Sequence, residues 1–338
     1  MKWLGCAAVA ASVVLGAANA SAGTLDDVRK RGHLECGVHL GLPGFSSPND
    51  KGVWIGLDVD LCRAIAAAIF GDPEKVKYTP TSVQQRWEVL KSAQVDLLSR
   101  NSTITYSREA NLGIQFVGIN FYEAQTFVVR KKANIKDVKG LDGAQICVAA
   151  GSTEEKNAGD YARTNKLKWT IITFAKNDDA IAAYDSERCD TYTAGLSALA
   201  GQRAKLKAPA DHVILTEVIS RDPQGPVVRN GDDQWAKIVR WVLNGLVTAE
   251  HLGVTQANVD QMRQSSGDPE VRRLLGVEGD FGPMHGLPKE WLYNEIKMVG
   301  NYGESYERTV GKASPLGLDR GQNALWSKGG LVFSPPFL

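Results

Sequence analysis

The strongest constraint on the fold is the alternation of short apolar strand patterns with helical patterns along the first two thirds of the chain. HLECGVHL precedes the Gly/Pro-rich loop GLPGFSSPNDKG, the helical DVDLCRAIAAAIFG and the strand pattern KVKYTP. The middle third repeats this order with AQICVAA, a helix after GSTEEKN, TIITF, DDAIAAYDSE and CDTYTA. Such an order predicts an α/β fold with mainly parallel sheets, and its repetition predicts two lobes.

Helical patterns predominate in the last third of the chain. WAKIVRWVLNGLVTAEHLG and WLYNEIKMVGNYGESYERTVG both place apolar residues at helical spacing. At 338 residues and 43% apolar content, the chain can fill two ordinary cores, so disorder is excluded. Lys and Arg number 39 against 38 Asp and Glu, which leaves no basic excess to attract nucleic acid.

The first 22 residues have the pattern of a secretory signal peptide. Lys2 is followed by an apolar run from Trp3 to Ala18, and small residues at Ala20 and Ala22 provide a cleavage site. A short membrane anchor is the alternative interpretation, but the run is shorter than a spanning helix and no later segment is apolar enough to span a bilayer. The sequence therefore predicts a soluble protein exported to the periplasm.

The predicted export determines which role the cysteines are expected to have. Removal of Cys6 with the signal peptide leaves four, and an even number in an oxidising compartment favours disulfides over metal or nucleophilic roles. Four cysteines allow three pairings. Cys36 lies in a strand pattern and Cys62 in the next helix, and Cys147 and Cys189 lie in consecutive segments of the middle third. This placement predicts Cys36 with Cys62 and Cys147 with Cys189.

The segment GLDVDLCRAIAAAI (residues 56–69) resembles the signature of family three of the bacterial extracellular solute-binding proteins. Within that family the chain is most similar to the long general L-amino-acid binding proteins, through GLPGFS, LSRNSTIT, LDGAQICVAAGSTEE, RCD, GDDQW, VGNYGE and NALWSKGGL. Without the resemblance, the segment is an amphipathic helix that Asp58 could cap at its N-terminus. Its carboxylates are expected to have structural roles.

The resemblance implies a two-lobed periplasmic binding protein fold of type II with a helical C-terminal extension. Lobe one would comprise residues 24–125 and 225–338, and lobe two residues 126–224, with an amino acid or related small carboxylate enclosed between them. The permease of an ABC importer would be the partner of a monomeric receptor that needs no cofactor. An enzyme similar to the cyclohexadienyl dehydratases, which share the fold, is the alternative, as is a receptor for a non-amino carboxylate. No function is predicted for residues 251–286.

Arg108 matches the family arginine that binds the ligand carboxylate, a role that suits the two parallel donors of a guanidinium. Otherwise it would be an ordinary surface arginine. Asn101, Ser102 and Thr103 in the same loop could supply neutral hydrogen-bonding groups.

On the second lobe, GSTEE places Ser152 and Thr153 at a helix start, where free N–H groups and the helix dipole favour an anion. Simple N-capping by either residue is the alternative, and both roles can coexist.

Gly195 occupies the position at which the family usually carries an Asp that binds the ligand's α-ammonium group. A buried ammonium group without a counter-charge is strongly disfavoured. Either another acid, from among Asp190, Glu123 and Glu154, supplies the contact, or the ligand lacks an ammonium group there. The second alternative predicts that deaminated acids bind at least as well as amino acids.

Four residues of the first lobe lie in or beside segments that line the cleft in relatives: His39, Leu42, Phe45 and Trp54. They could form an apolar and aromatic wall, and core packing is the alternative for Leu42 and Phe45. The remaining histidines show no paired metal-ligand spacing, so no metal site is predicted.

Overall fold

The computed structural model describes residues 23–338, so the predicted signal peptide and its cleavage site lie outside the described residues. The first segment contains four helices and six strands: α1 (Thr24–Arg31), β1 (Leu34–His39), β2 (Ser47–Pro48), β3 (Trp54–Ile55), α2 (Leu57–Phe70), β4 (Val76–Thr81), α3 (Arg86–Lys91), β5 (Leu97–Leu98), α4 (Tyr106–Leu112) and β6 (Ile114–Phe116).

The middle segment begins at a short strand and alternates strands with helices: β7 (Phe121–Glu123), β8 (Gln125–Arg130), β9 (Gln145–Ala149), α5 (Thr153–Asn165), β10 (Thr170–Phe174), α6 (Asn177–Asp185), β11 (Thr191–Gly195), α7 (Leu196–Arg203) and β12 (His212–Ile214). The last segment is mainly helical: β13 (Asp222–Gln224), β14 (Val227–Arg229), α8 (Asp233–His251), α9 (Val259–Ser265), α10 (Pro269–Leu274), α11 (Phe281–Met284), α12 (Trp291–Val299) and α13 (Tyr302–Thr309).

Two five-stranded sheets form the centres of the two lobes. The sheet of lobe one has the order β4-β1-β5-β14-β6, and that of lobe two β10-β9-β11-β8-β12. Half of the pairings in each sheet are antiparallel, namely β14 with β5 and β6, and β8 with β11 and β12. The prediction of mainly parallel sheets is therefore wrong in this respect, because the strands next to each crossing between the lobes enter their sheets in the reverse direction.

A two-stranded antiparallel ribbon of β7 and β13 connects the lobes. Tyr122 lies opposite Pro223 in this ribbon. On the outer side of β7, the Tyr122 N–H donates to Asn323 Oδ1 at 2.7 Å, and Asn323 Nδ2 donates to the Tyr122 carbonyl oxygen at 3.0 Å. Asn323 belongs to the C-terminal tail, so the tail is bonded to the connection between the lobes.

The helical C-terminal extension is part of the core of lobe one. Val259, Val271 and Leu274, from the stretch for which no function is predicted, are buried in the same apolar cluster as Trp291 and Trp235. The stretch therefore completes the packing around α8. Among residues 23–338, no helix combines the length and apolarity needed to cross a membrane.

Each lobe contains one disulfide. Cys36 on β1 is bonded to Cys62 on α2, with Cα atoms 6.4 Å apart. In lobe two, Cys147 on β9 is bonded to Cys189, with Cα atoms 5.8 Å apart. Both predicted pairings are confirmed, and each bridge joins segments that are adjacent in the fold.

The carboxylates of the α2 signature have structural roles, as expected, because they accept hydrogen bonds from other elements. Asp58, however, is not the N-cap of α2. The helix begins at Leu57 after Gly56, whose φ is 132°. A Cβ at Gly56 would lie 2.2 Å from the Phe45 carbonyl oxygen, so only glycine fits there. Asp58 instead accepts from the Asn101 N–H at 3.0 Å. This bond positions the loop after β5.

Candidate functional site

A cavity between the two lobes contains most of the predicted site residues. Its wall in lobe one is formed by His39, Val83, Arg86, Arg100, Asn101 and Thr103. Its wall in lobe two is formed by Val148, Ala149, Ser152, Thr153, Glu154, Asn177, Tyr192, Thr193 and Ala194. The walls meet where Thr103 Oγ1 lies 3.1 Å from Thr153 Oγ1, so the lobes are in direct contact.

Three buried arginines surround the lobe-one side of this cavity. Arg86 Nη1 donates to Ser102 Oγ at 3.2 Å, and Arg108 Nη1 donates to the Thr103 carbonyl oxygen at 2.6 Å. Within residues 23–338, none of the guanidinium groups of Arg86, Arg100 and Arg108 forms a salt bridge. Burial lowers the pKa of Arg100 to about 10, and burial followed by repulsion from Arg100 and Arg108 lowers the pKa of Arg86.

Several buried polar atoms in and beside the cavity have no hydrogen-bond partner among the described residues. They include Arg86 Nε, Arg100 Nε, Asn101 Oδ1 and Gln125 Oε1. Most buried polar atoms in folded proteins are bonded, so a group of exceptions in one place requires an explanation. A polar ligand enclosed in the cavity would supply the missing partners.

The carboxylates near the three arginines are engaged with neutral donors. Asp58 accepts from Asn101 N and, at 3.2 Å, from Asn120 Nδ2. Asp222 accepts from Ser220 Oγ, and Glu154 Oε2 lies 3.2 Å from Thr153 Oγ1. Glu154 is the single acidic side chain on the described cavity wall.

His39 lies at the end of β1 and is uncharged. Burial, then the neighbouring positive charges of Arg100 and Arg86, lowers its pKa well below the ordinary value. The Gly41 N–H donates to Nδ1 of His39 at 3.1 Å. The proton of the neutral ring is therefore on Nε2, which can donate one hydrogen bond.

The start of α5 both caps the helix and faces the cavity. Ser152 Oγ accepts from the Glu155 N–H at 3.1 Å and donates to the Ala149 carbonyl oxygen at 2.7 Å. The Glu155 carboxylate accepts from the Gly151 N–H at 2.7 Å. Ser152 is thus the N-cap, while Ser152 and Thr153 also line the cavity.

Some of the predicted site residues are not on the cavity wall. Ser102 and Arg108 lie directly behind it, the first bonded to Arg86 and the second to Thr103. Trp54 packs against Tyr78 with ring centroids 6.0 Å apart. Leu42 and Phe45 are buried in the core of lobe one, in agreement with the alternative interpretation of these two residues.

Gly195 is the N-cap of α7, and the carboxylate of Glu123 fills the space beside it. A Cβ at Gly195 would lie 2.7 Å from Glu123 Cγ, Cδ and Oε2. Glu123 Oε1 accepts from the Ala124 N–H at 3.0 Å, and the Ser197 N–H and hydroxyl donate to Oε2. Burial raises the pKa of Glu123 to about 7. A carboxyl group that ionises as the pH rises through about 7 therefore lies next to the position from which the family aspartate is missing.

Sequence reasoning missed Arg86 and Arg100, although both lie near segments that it identified. Arg100 directly follows the apolar strand pattern VDLLS, and a charged residue that ends a buried strand was an available signal. Arg86 lies at the start of α3, and nothing in its local pattern indicates that it faces the other lobe. In the part of the chain that the structure describes, no group of three or more His, Cys, Asp or Glu side chains is arranged to hold a metal ion.

Comparison with known sequences agrees with this architecture. The sequence model of the bacterial extracellular solute-binding proteins, family 3, matches residues 34–256. The general L-amino acid-binding periplasmic protein AapJ of Rhizobium johnstonii is 49% identical over 337 residues, covering 99% of this chain and 98% of AapJ. The glutamate/glutamine/aspartate/asparagine-binding protein BztA of Rhodobacter capsulatus is 46% identical over 327 residues, covering 97% of this chain and 96% of BztA.

A solved structure shares the same two-lobed fold. A periplasmic binding protein of an ABC transporter from Brucella ovis, with glutathione bound, is 51% identical and superposes with a TM-score of 0.91. The match covers 94% of this chain and 100% of that structure. The similarity in sequence and fold confirms the resemblance in the α2 signature: the chain belongs to family 3 of the bacterial extracellular solute-binding proteins.

Proposed function

We propose that the protein is a periplasmic receptor that captures an amino acid or a related small carboxylate between its lobes and delivers it to an ABC importer. The observation that carries the proposal is the cavity enclosed by both lobes, with three buried arginines on one side that form no salt bridge with the described residues. A carboxylate ligand would pair with these cations, and exclusion of water would strengthen the pairing.

The relatives support this ligand class. Their names or titles give general L-amino acids for AapJ, the two acidic amino acids and their amides for BztA, and glutathione for the Brucella ovis protein. All of these compounds carry at least one carboxylate. The relatives are described as binding proteins, which favours a receptor over the alternative of a dehydratase-like enzyme.

Within the cavity we assign the ligand's main carboxylate to Arg108, with Asn101 and Thr103 as neutral partners. Arg108 lies behind the cavity wall, next to Thr103. Its guanidinium would either give up its hydrogen bond to the Thr103 carbonyl oxygen and bind the ligand instead, or reach past Thr103. Ser152 and Thr153 would bind the same carboxylate from lobe two, since the start of a 13-residue helix favours an anion.

We assign the ligand's ammonium group to Glu123. Its carboxylate occupies the space that an Asp side chain at position 195 would fill. Gly195 leaves two alternatives: a rescuing acid, meaning a neighbouring acid that takes over the role of the missing aspartate, or a ligand without an ammonium group. This assignment favours the rescuing acid.

The remaining features of the proposal concern export and assembly. Residues 1–22 would be removed as a cleavable signal peptide, and the mature receptor would act as a monomer that docks onto the permease subunits of its importer. These steps rest on the pattern of the N-terminus and on family membership.

A thermal-unfolding screen of the exported protein tests the ligand class. The panel contains L-amino acids, their deaminated analogues, glutathione and neutral sugars as the control group. A ligand at about 100 times its dissociation constant adds roughly 2.7 kcal/mol of stability. Stabilisation by carboxylates alone is the expected result, whereas stabilisation by none of them would contradict the proposal.

A further inference from the structure

The C-terminal extension is bonded to β7, one of the two strands that connect the lobes. Tyr302 Oη donates to the carbonyl oxygen of Asn120, directly before β7, at 2.8 Å. Asn323 binds the N–H and the carbonyl oxygen of Tyr122, and the Tyr122 hydroxyl donates to the Leu331 carbonyl oxygen at 3.2 Å. Four hydrogen bonds therefore attach this short strand to residues 182 to 209 positions further along the chain.

Arg320 fastens this part of the chain to the helices of lobe one. Its Nε donates to the Asn323 carbonyl oxygen at 3.0 Å, and its Nη2 forms a salt bridge with Glu250 on α8 at 3.1 Å. The guanidinium group also lies over the ring of Tyr306 on α13, at 4.6 Å from the centroid. Because most of the Arg320–Glu250 pair is buried, solvent and salt screen it less than a surface pair. Asn323, and with it the main chain of Tyr122, is therefore held to lobe one.

The other connecting strand, β13, is bonded to lobe one at the residue opposite Tyr122. That residue is Pro223, and its carbonyl oxygen accepts from the Ile104 N–H at 2.8 Å. The carbonyl oxygen of the next residue, Gln224, accepts from the Asn120 N–H at 2.9 Å. Tyr122 and Pro223 thus form one rung of the ribbon, and both are bonded to lobe one.

The adjacent rung of the ribbon is bonded to lobe two instead. It consists of Glu123 and Asp222, which lie opposite each other. The Glu123 carboxylate accepts from the Ser197 N–H, at the start of α7, at 3.2 Å. Asp222 Oδ1 accepts from Asn157 Nδ2 on α5 at 3.4 Å. The attachment therefore changes from one lobe to the other between two consecutive rungs.

We infer that the C-terminal tail, residues 310–338, is a brace that keeps the Tyr122–Pro223 rung fixed to lobe one, so that the lobes bend between this rung and the Glu123–Asp222 rung. Asn323 is its positioning residue, because it binds both main-chain groups of Tyr122 on the outer side of β7. Without the brace, bending would extend back along β7, and the ligand-free lobes would adopt a wider range of arrangements. The inference rests on the proposed function only in that capture between the lobes requires them to separate.

Hydrogen exchange of the ligand-free protein, measured by NMR, tests the brace directly. The Tyr122 amide should exchange roughly tenfold faster in Asn323→Ala than in wild type, because the variant lacks its hydrogen-bond acceptor. Asn258→Ala is the matched control, since the Asn258 side chain also binds one N–H and one carbonyl oxygen of the main chain, in the loop after α8. In this variant the Tyr122 amide should exchange as in wild type. Equal acceleration in both variants, or none in either, would overturn the inference.

Small-angle X-ray scattering of the same ligand-free proteins measures the bending itself. Asn323→Ala should have a larger radius of gyration than wild type, whereas Asn258→Ala should have the wild-type value. An unchanged radius in Asn323→Ala, or the same increase in both variants, would show that the tail does not limit bending.

If Asn323→Ala does not fold, hydrogen exchange of the wild-type protein decides. Slow exchange of the Tyr122 amide would support the brace, and exchange as fast as that of an exposed loop amide would overturn it. Neither measurement uses a ligand, so failure of the brace leaves the proposed function intact. A thermal screen in which no carboxylate binds would overturn the proposed function and leave the brace intact.

Discussion

The two lobes contribute opposite kinds of surface to the same cavity. Lobe one supplies Arg86 and Arg100, with Arg108 directly behind, whereas lobe two supplies mostly neutral groups such as Thr153 and a single acid, Glu154. Lobe one therefore carries the charge that attracts an anion, and lobe two mainly supplies hydrogen bonds and excludes water. The difference indicates that the affinity for a carboxylate depends chiefly on lobe one, and that lobe two completes the enclosure.

Arg108→Lys should show the largest effect. It tests whether the affinity for a carboxylate depends chiefly on lobe one. An ammonium group cannot reproduce the planar fork, so we expect a loss of about 2 to 5 kcal/mol in binding free energy. Calorimetry with the best ligand of the screen measures it. Near-normal affinity would remove Arg108 from the site.

Gly195→Asp tests the space beside Glu123 and should have the second-largest effect. The new Cβ would lie 2.7 Å from Glu123, and overpacking of this kind costs about 1 to 3 kcal/mol. We expect lower stability and weaker binding of amino acids, because two carboxylates would compete for one position. Tighter binding of amino acids by the variant would show that Glu123 does not act as the rescuing acid.

Glu123→Gln tests the buried acid through the pH dependence of stability. With a pKa of about 7 in the folded state, against 4.5 as its ordinary value, Glu123 keeps its proton in the folded protein while the unfolded chain loses it. The free energy of unfolding should therefore fall as the pH rises from about 4.5 to 7. Urea unfolding should show a smaller fall in Glu123→Gln, and identical pH profiles would contradict the assignment.

The same group should release protons when a ligand with an ammonium group binds. The positive charge favours ionised Glu123 and lowers its pKa. Calorimetry at pH 6.5 in buffers of different ionisation enthalpy should detect up to one proton released on binding of an amino acid. Its deaminated analogue should cause less release, and Glu123→Gln should abolish the difference. Equal proton release by both ligands in wild type would favour a ligand without an ammonium contact.

Thr153→Val should show the smallest effect and measures the part played by lobe two. The substitution removes the hydroxyl that faces Thr103 across the cavity at 3.1 Å and keeps the shape of the side chain. A neutral hydrogen bond contributes about 0.5 to 1.5 kcal/mol. Ligand affinity should fall by roughly tenfold or less. A loss as large as that of Arg108→Lys would contradict the unequal division between the lobes.

Local patterns predicted much of the fold. The strands and helices around Cys36, Cys62, Cys147 and Cys189 are local features, and once they were recognised the pairing followed from adjacency. The polar loop from Asn101 to Arg108 is one continuous segment, but its role as a ligand-binding loop was predicted from the resemblance to the family. The direction of β8 and β14 was not predictable, because it depends on where the chain crosses between the lobes.

The rest of the site depends on contacts between residues that are distant in sequence. Glu123 and Gly195 are 72 residues apart, and only folding brings the carboxylate against the glycine. Arg86 approaches Arg108 by packing, and both guanidinium groups lie over the ring of Trp87 at 4.4 and 5.2 Å. Asp58 was predicted to cap its own helix, whereas the folded chain offers it the Asn101 N–H instead.

The bonds between Asn323 and Tyr122 bear on how copies of the protein avoid each other. Among residues 23–338, β7 has only β13 as a neighbouring strand, so its outer edge would otherwise present an unpaired N–H and carbonyl to any extended chain. The Asn323 amide occupies both groups and takes the place of a third strand. The tail thus protects the connection between the lobes from strand addition by another chain, which is one route to aggregation.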